Sequence, residues 1–280
     1  MRHIKTLLDG LTFPEGPRWH DNRLWFSDFY SHKVIRVDMD GNRETVATVL
    51  QQPSGLGWMP NGKLLVVSMR DQKLMRLETE GLVEHADLSG VSRHWCNDMV
   101  VDAEGGAYVG NFGFDRHVGE EPRTTTLVRV TPIGEVRVVA DGLWFPNGAV
   151  ITPDGKTLVV GETLGGCLTS FDIDADGNLS NRRSFAEHVG MFPDGICLDE
   201  EGAIWVADPR NKEVVRIRRS GEAVERIDLV DRGAYACMLG GFDRRTLFIC
   251  SNVDSGPKTA EMKAGKIEFT RVDVPGTGLP

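Results

Sequence analysis

The sequence predicts an all-β, six-bladed propeller, and three observations lead to it. A local design, Phe-Pro-X-Gly followed by a short apolar strand, a polar turn and a second strand, occurs at "FPEGPRWHDNRLWFSD" (13–28), "FPNGAVITPDGKTLVVGE" (145–162) and "FPDGICLDEEGAIWVAD" (192–208). Aligned on the X column the chain shows six copies, at Glu15, Ser54, Asn97, Asn147, Asp194 and Cys237, spaced 39, 43, 50, 47 and 43 residues apart. Long helical periodicity is missing throughout. Four short strands in ~40–45 residues is the length of a propeller blade. Six such units nearly exhaust the chain.

Each unit reads in the same order. The column is followed by an apolar stretch, a turn ("HDN", "MPNG", "DAEG", "TPDG", "DEEG", "FDRR") and a second strand ("LWFSD", "KLLVVS", "AYVGN", "TLVVG", "IWVAD", "LFICS"). An alternating third strand comes next, such as "KVIRVD" or "EVVRIR", and often a weaker fourth, as in "ETVATVL" (44–50). The last unit shows only three strands, ending in "GKIEFTRVDV", while "RHIKTLLDG" precedes the first unit without a unit of its own. Residues 2–8 are therefore expected to supply the last blade's outer strand, which seals the ring and removes exposed edges. Residues 1–280 are expected to form one domain, since an all-β ring of this length counts as one. Such a chain buries ~75% of its unfolded surface and needs no staples.

A net charge of −9 argues against nucleic acid or an anionic membrane surface as partner, because both require a basic face. The N-terminus lacks a signal peptide's apolar core, and no run approaches the ~20 apolar residues that span a bilayer. Five scattered cysteines without CxxC spacing read as reduced thiols in a cytoplasmic protein.

If each innermost strand starts just after the column, the six X residues ring one end of the central channel. The residues ending the return strands (Asp28, Ser68, Asn111, Gly161 or Glu162, Asp208, Ser251) are expected at the same rim. Repetition alone would place six similar residues in the column. Instead it holds two carboxylates, two amides, a hydroxyl and a thiol. Glu15, Asn147 and Asp194 would supply oxygen ligands, with Asn97 close by and no converging His or Cys pair. Hard divalent cations prefer such sets, Ca²⁺ above all, with Mg²⁺ or Mn²⁺ as alternatives. Two carboxylates balance a 2+ charge; without it they repel and one pKa rises. Each of these residue types before Gly is also an ordinary turn residue. What favours a site is the column as a whole, with Pro-X-Gly held and X varied.

Other positions divide between roles. Asp98 replaces the glycine of neighbouring copies, which fits either pocket lining or a turn. Asp208 ends the return strand of Asp194's blade and either approaches the site or caps the turn before "PRNKE". His94 lies near the site in sequence, and the other histidines (3, 20, 32, 85, 117, 188) show no ligand spacing. Neither a GxSxG elbow nor a dinucleotide fingerprint occurs. Trp95, Phe112, Trp144, Phe145, Phe192 and Tyr235 flank the expected rim, for inter-blade packing or as pocket wall.

The motifs "FPEGPRW" (13–19), "WCNDMVVDAEG" (95–105), "FPNG" (145–148), "FPDGICLDEEGAIWVAD" and "MLGGFDRRTLFICSN" (238–252) together resemble the SMP-30/gluconolactonase/luciferin-regenerating family over essentially the whole chain. That resemblance implies a calcium- or zinc-dependent propeller that hydrolyses lactones. It implies Glu15, Asn147 and Asp194 as metal ligands, Asn97 beside the metal in contact with substrate or a bound water, and Asp194 as acid/base as well. The expected partner is a small lactone and the expected cofactor one divalent ion, Ca²⁺ first, with Zn²⁺, Mn²⁺ or Mg²⁺ as alternatives. The expected chemistry is Lewis-acid activation of the carbonyl with carboxylate-assisted water attack, Asp208 being second candidate for base. Asn97, Asp98 and Asp208 form the expected substrate-binding set. The expected lactone is that of a sugar acid or a related small one, although the aromatic rim, with few Arg or Lys in the column motifs, does not by itself favour a free-sugar lactone. Two other readings stand beside this one: a propeller without catalysis that serves as a binding module, and a phosphotriesterase-like hydrolase.

Overall fold

The structure, a computed structural model, describes residues 2–115, 118–187 and 190–278; His117 and His188 lie outside the described residues. These residues form six four-stranded antiparallel sheets. The first blade comprises Pro14–His20, Arg23–Asp28, Lys33–Val37 and Arg43–Thr48, in spatial as in chain order. The next four blades repeat that order, with innermost strands Pro53–Trp58, Cys96–Val101, Pro146–Ile151 and Ile196–Leu198.

The burial pattern explains why the second strands read as apolar runs and the fourth strands do not. Every residue of Leu64–Ser68 and Ile204–Asp208 is buried, since both faces of a blade meet its neighbours. In the outer strand Arg43–Thr48 only Ala47 is buried. Turns carry their own logic. Asp21 and Asn22 take φ of 49° and 57°, the double left-handed geometry of a two-residue hairpin. In the third and fifth blades a turn aspartate (Asp102, Asp199) accepts two following backbone N–H groups and also pairs with an arginine of the third strand, Arg129 or Arg216, at 2.7 Å. No helix among the described residues is long and apolar enough to cross a membrane.

The ring closes as the sequence predicts, a little downstream. Lys5–Leu11 pairs antiparallel with Gly265–Arg271, completing the sheet of Gly233–Gly240 and Thr246–Asn252. Its neighbourhood is tied by Arg2, which bonds Glu225, Asp273 and the Arg271 carbonyl.

Innermost strands touch closely at the column. A Cβ on Gly148 would lie 2.5 Å from the Ile196 nitrogen, and one on Gly195 2.4 Å from the Ala236 Cβ. Here Gly148 N–H donates to the Asp194 carbonyl and Gly195 N–H to the Tyr235 carbonyl. Gly148 and Gly195 are thus set by backbone approach between adjacent blades, while Gly16 of the first copy takes a left-handed φ of 54°.

Candidate active site

A register shift marks the column. In the first four innermost strands the ladder slips by one between Glu15 and Arg18, Pro53 and Leu56, Cys96 and Met99, and Pro146 and Ala149. A bulge of this kind re-aims the side chain at the extra residue. At these positions Glu15, Asn97 and Asn147 turn into a cavity at one end of the channel, and Asp194 joins them from just ahead of Ile196–Leu198. The cavity has a volume of about 700 Å³. The other two column residues stay off its lining. Ser54 is buried with its hydroxyl 3.4 Å from Asn97 Oδ1, and the Cys237 thiol lies 3.8 Å from that of Cys197.

The four polar residues of the floor are each no more than 9 % exposed. Asn97 Nδ2 donates to Asn147 Oδ1 at 2.9 Å, and Asn147 Nδ2 donates to Thr163 Oγ1 at 3.2 Å. Thr163 spends its own hydrogen on the Pro193 carbonyl at 2.6 Å, so toward Asn147 it can only accept. That fixes the amide of Asn147 with its oxygen turned away from Thr163 and toward Asn97. Thr163 is a positioning residue absent from the sequence reading; it follows the return strand and carries no motif.

Charge at the floor is not balanced by the floor itself. Burial, then the nearby Asp194 carboxylate, hold the Glu15 carboxyl well above the usual range, against one N–H bond from Gly16 at 2.9 Å. Burial and the charge of Asp194 likewise push up the Tyr235 phenol. Among the described residues no group of three His, Cys, Asp or Glu side chains could hold an ion, so the candidate set is two carboxylates plus an amide oxygen. That donor set fits a hard divalent cation, whose charge would offset the repulsion between Glu15 and Asp194.

Asp98 and Asp208 do not line the cavity. Asp98 Oδ1 accepts Arg18 Nη2 at 2.8 Å and its own neighbour's N–H at Met99. Asp208 takes N–H groups of Phe192, Arg210 and Asn211, plus Asn211 Nδ2. It belongs to a set of clamps. Asp28 accepts the N–H of Thr12 and Phe13, Glu162 that of Trp144, and Asp208 that of Phe192, each fastening the segment that leads into its own blade's innermost strand. The return strands thus end at the level of the column, as expected, with Asp28 opposite Pro14, Ser68 opposite Pro53, Asn111 opposite Cys96 and Glu162 opposite Pro146, but their side chains hold neighbouring segments and do not line the cavity. Of the return-strand ends read from sequence, Ser68 bonds Asp71, Asn111 bonds Thr125 and Thr126, and Ser251 bonds Glu268. His94 lies 3.7 Å from Asp115 and stacks on Trp95, outside the cavity lining.

The wall above the floor is aromatic. Phe13, Trp95, Phe112, Phe145, Phe192 and Tyr235 line it, with Phe112 and Phe145 stacked at 4.9 Å. Trp144, by contrast, is 40 % exposed and does not line it.

Comparison with known proteins follows the same lines. The chain is 28% identical over 285 residues to a 6-deoxy-6-sulfogluconolactonase of Pseudomonas putida, covering 95% of this chain and 93% of that protein. It is 26% identical over 278 residues to a pentonolactonase of Haloferax volcanii, covering 95% and 92%. The crystal structure of a calcium-binding protein, regucalcin, from Agrobacterium tumefaciens superposes with a TM-score of 0.82 at 21% identity, over 100% of this chain and 97% of that one. A sequence model of the SMP-30/Gluconolactonase/LRE-like region matches residues 13–253, and the chain belongs to that family.

Proposed function

We propose that this protein is a divalent-metal-dependent lactonase. The observation that carries the reading is the convergence of Glu15, Asp194 and the fixed amide oxygen of Asn147 on the floor of one cavity, beside Asn97. Relatives named as lactonases of sugar acids support it, and the calcium-binding relative supports Ca²⁺ as first candidate, with Zn²⁺, Mn²⁺ or Mg²⁺ as alternatives.

Glu15, Asn147 and Asp194 would hold the ion. When bound, a divalent cation supplies Lewis-acid polarisation of the ester carbonyl and offsets the charge that develops on its oxygen. Asn97, held by Asn147, stands where its side chain can orient the substrate. Asp194 accepts a proton from the attacking water as the oxygen bonds to the carbonyl carbon. When the ring C–O bond breaks, that proton passes to the departing alkoxide, leaving a hydroxy acid.

A hydrolysis screen over sugar, aliphatic and aromatic lactones, with and without chelator, tests the reading. Chelator-sensitive ring opening supports it. Turnover of no lactone by metal-loaded protein defeats it and leaves the binding-module reading.

A further inference from the structure

From the same cavity, and resting on the lactonase reading, we infer that the substrate is a lactone with an apolar substituent, alkyl or aryl, and not a polyhydroxylated sugar lactone. The floor is polar, and the wall above it is mostly ring face and hydrocarbon, with Gln52, Arg70, Thr163 and Arg210 set among the apolar side chains. Phe13, Phe112, Phe145, Phe192 and Tyr235 line the wall, with Met69 and Leu164 completing it. Five of these seven belong to or pack against one aromatic cluster, with Phe13 4.7 Å from Tyr235 and Phe112 4.9 Å from Phe145.

Two of the polar groups on that wall have partners within the protein. The Thr163 hydroxyl donates to the Pro193 carbonyl, and Gln52 Oε1 accepts from Arg70 Nε. Both rim arginines lie over rings, Arg70 4.9 Å from the centre of Trp95 and Arg210 4.3 Å from that of Phe192. A sugar lactone carries a hydroxyl on nearly every ring carbon. Seated with its carbonyl on the floor, it would bring those hydroxyls against apolar surface, trading water for few new partners. An alkyl or aryl group there exchanges water for close apolar contact. Lactones of both kinds share the reacting ester, so the wall and not the floor decides between them.

The experiment uses three δ-lactones, δ-valerolactone, δ-decanolactone and glucono-δ-lactone, with each rate divided by its own uncatalysed rate. Metal-loaded protein should show kcat/KM for δ-decanolactone about tenfold to a hundredfold above δ-valerolactone, the value of partly burying the pentyl chain. Glucono-δ-lactone should fall below both. Leu164→Asn, at a wall position 37 % exposed, should lower the δ-decanolactone value several-fold more than the δ-valerolactone value, so that the ratio between the two narrows. Preference for glucono-δ-lactone overturns the inference while leaving the lactonase reading intact. Should no lactone turn over, the lactonase reading fails separately. Binding then decides this inference, through quenching of tryptophan fluorescence with Trp95 in the wall. Tighter binding of 5-hydroxydecanoate than of gluconate supports it, and the reverse order overturns it.

Discussion

Arg18 reaches from the first blade's innermost strand to the third's and donates to Asp98 Oδ1 at 2.8 Å, with both side chains under 10 % exposed (5% and 8%). The same guanidinium bonds the carbonyls of Pro17 and Met99. The pair crosses the channel at the level of the column and leaves the Asp98 carboxylate turned to the protein. Removing one partner strands a buried charge. Asp98→Asn should therefore destabilise the fold by about 3 kcal/mol or more, seen as a lower urea midpoint with an unchanged slope. Unaltered stability with raised KM would instead return Asp98 to substrate contact.

Chelation should abolish lactone hydrolysis and leave the far-UV β signal intact, because six packed blades do not hang on one ion. Elemental analysis before and after treatment checks it. Full activity in metal-free protein would end the proposal of a metal site at Glu15, Asn147 and Asp194.

Asp194→Asn keeps an oxygen but removes the basic carboxylate, and kcat should fall ~10²–10⁴-fold. Metal content must be measured alongside, since the floor also loses charge toward the ion. Asp208→Asn places an amide against backbone donors and should cost about 1–3 kcal/mol of stability with kcat close to normal. A metal-replete, inactive and stably folded Asp208→Asn protein would transfer the base role to Asp208.

Deleting residues 1–8 removes residues 5–8 of the seven-residue strand Lys5–Leu11 and the Arg2 bonds to Glu225 and Asp273. The last blade's edge is then open, and the melting temperature should drop by ~10 °C or more. A change within a degree or two in differential scanning calorimetry would mean that this strand contributes little to holding the ring.

Thiol titration reads the interior. Burial pushes the Cys96 thiol up to about 12 and holds Cys197 and Cys250 well above their ordinary value, so at pH 8 these carry almost no reactive thiolate. Native protein should react with Ellman's reagent chiefly at the half-buried Cys167, and all five cysteines should react after unfolding in guanidinium.

The ring was legible in the sequence because a repeat writes each structural demand six times. Strand order, blade length and closure by the N-terminal segment all follow from comparing copies. The column was legible for the same reason, through Glu15, Asn97, Asn147 and Asp194 standing where the copies differ. What single residues do there was less accessible. Asp98 follows the column residue Asn97 and Asp208 ends the return strand of Asp194's blade, yet their side chains turn to Arg18 and to the Phe192 backbone. That choice is made by bulges and by partners eighty or sixteen residues away. Thr163 is further still from view, since its effect on Asn147 depends on where its single hydrogen is spent.

The seam between Lys5–Leu11 and Gly265–Arg271 also sets a timetable. The partner strand is about 260 residues downstream, so on a ribosome adding ~5–20 residues per second the first strand waits roughly 10–50 s for it. Throughout that interval five blades can form in sequence, each from contiguous chain, while this segment stays unpaired. Lys5 and Asp9, exposed in the finished protein, put charge on it during the wait, which discourages pairing with a neighbouring nascent chain. The first strand synthesised is the last to be placed.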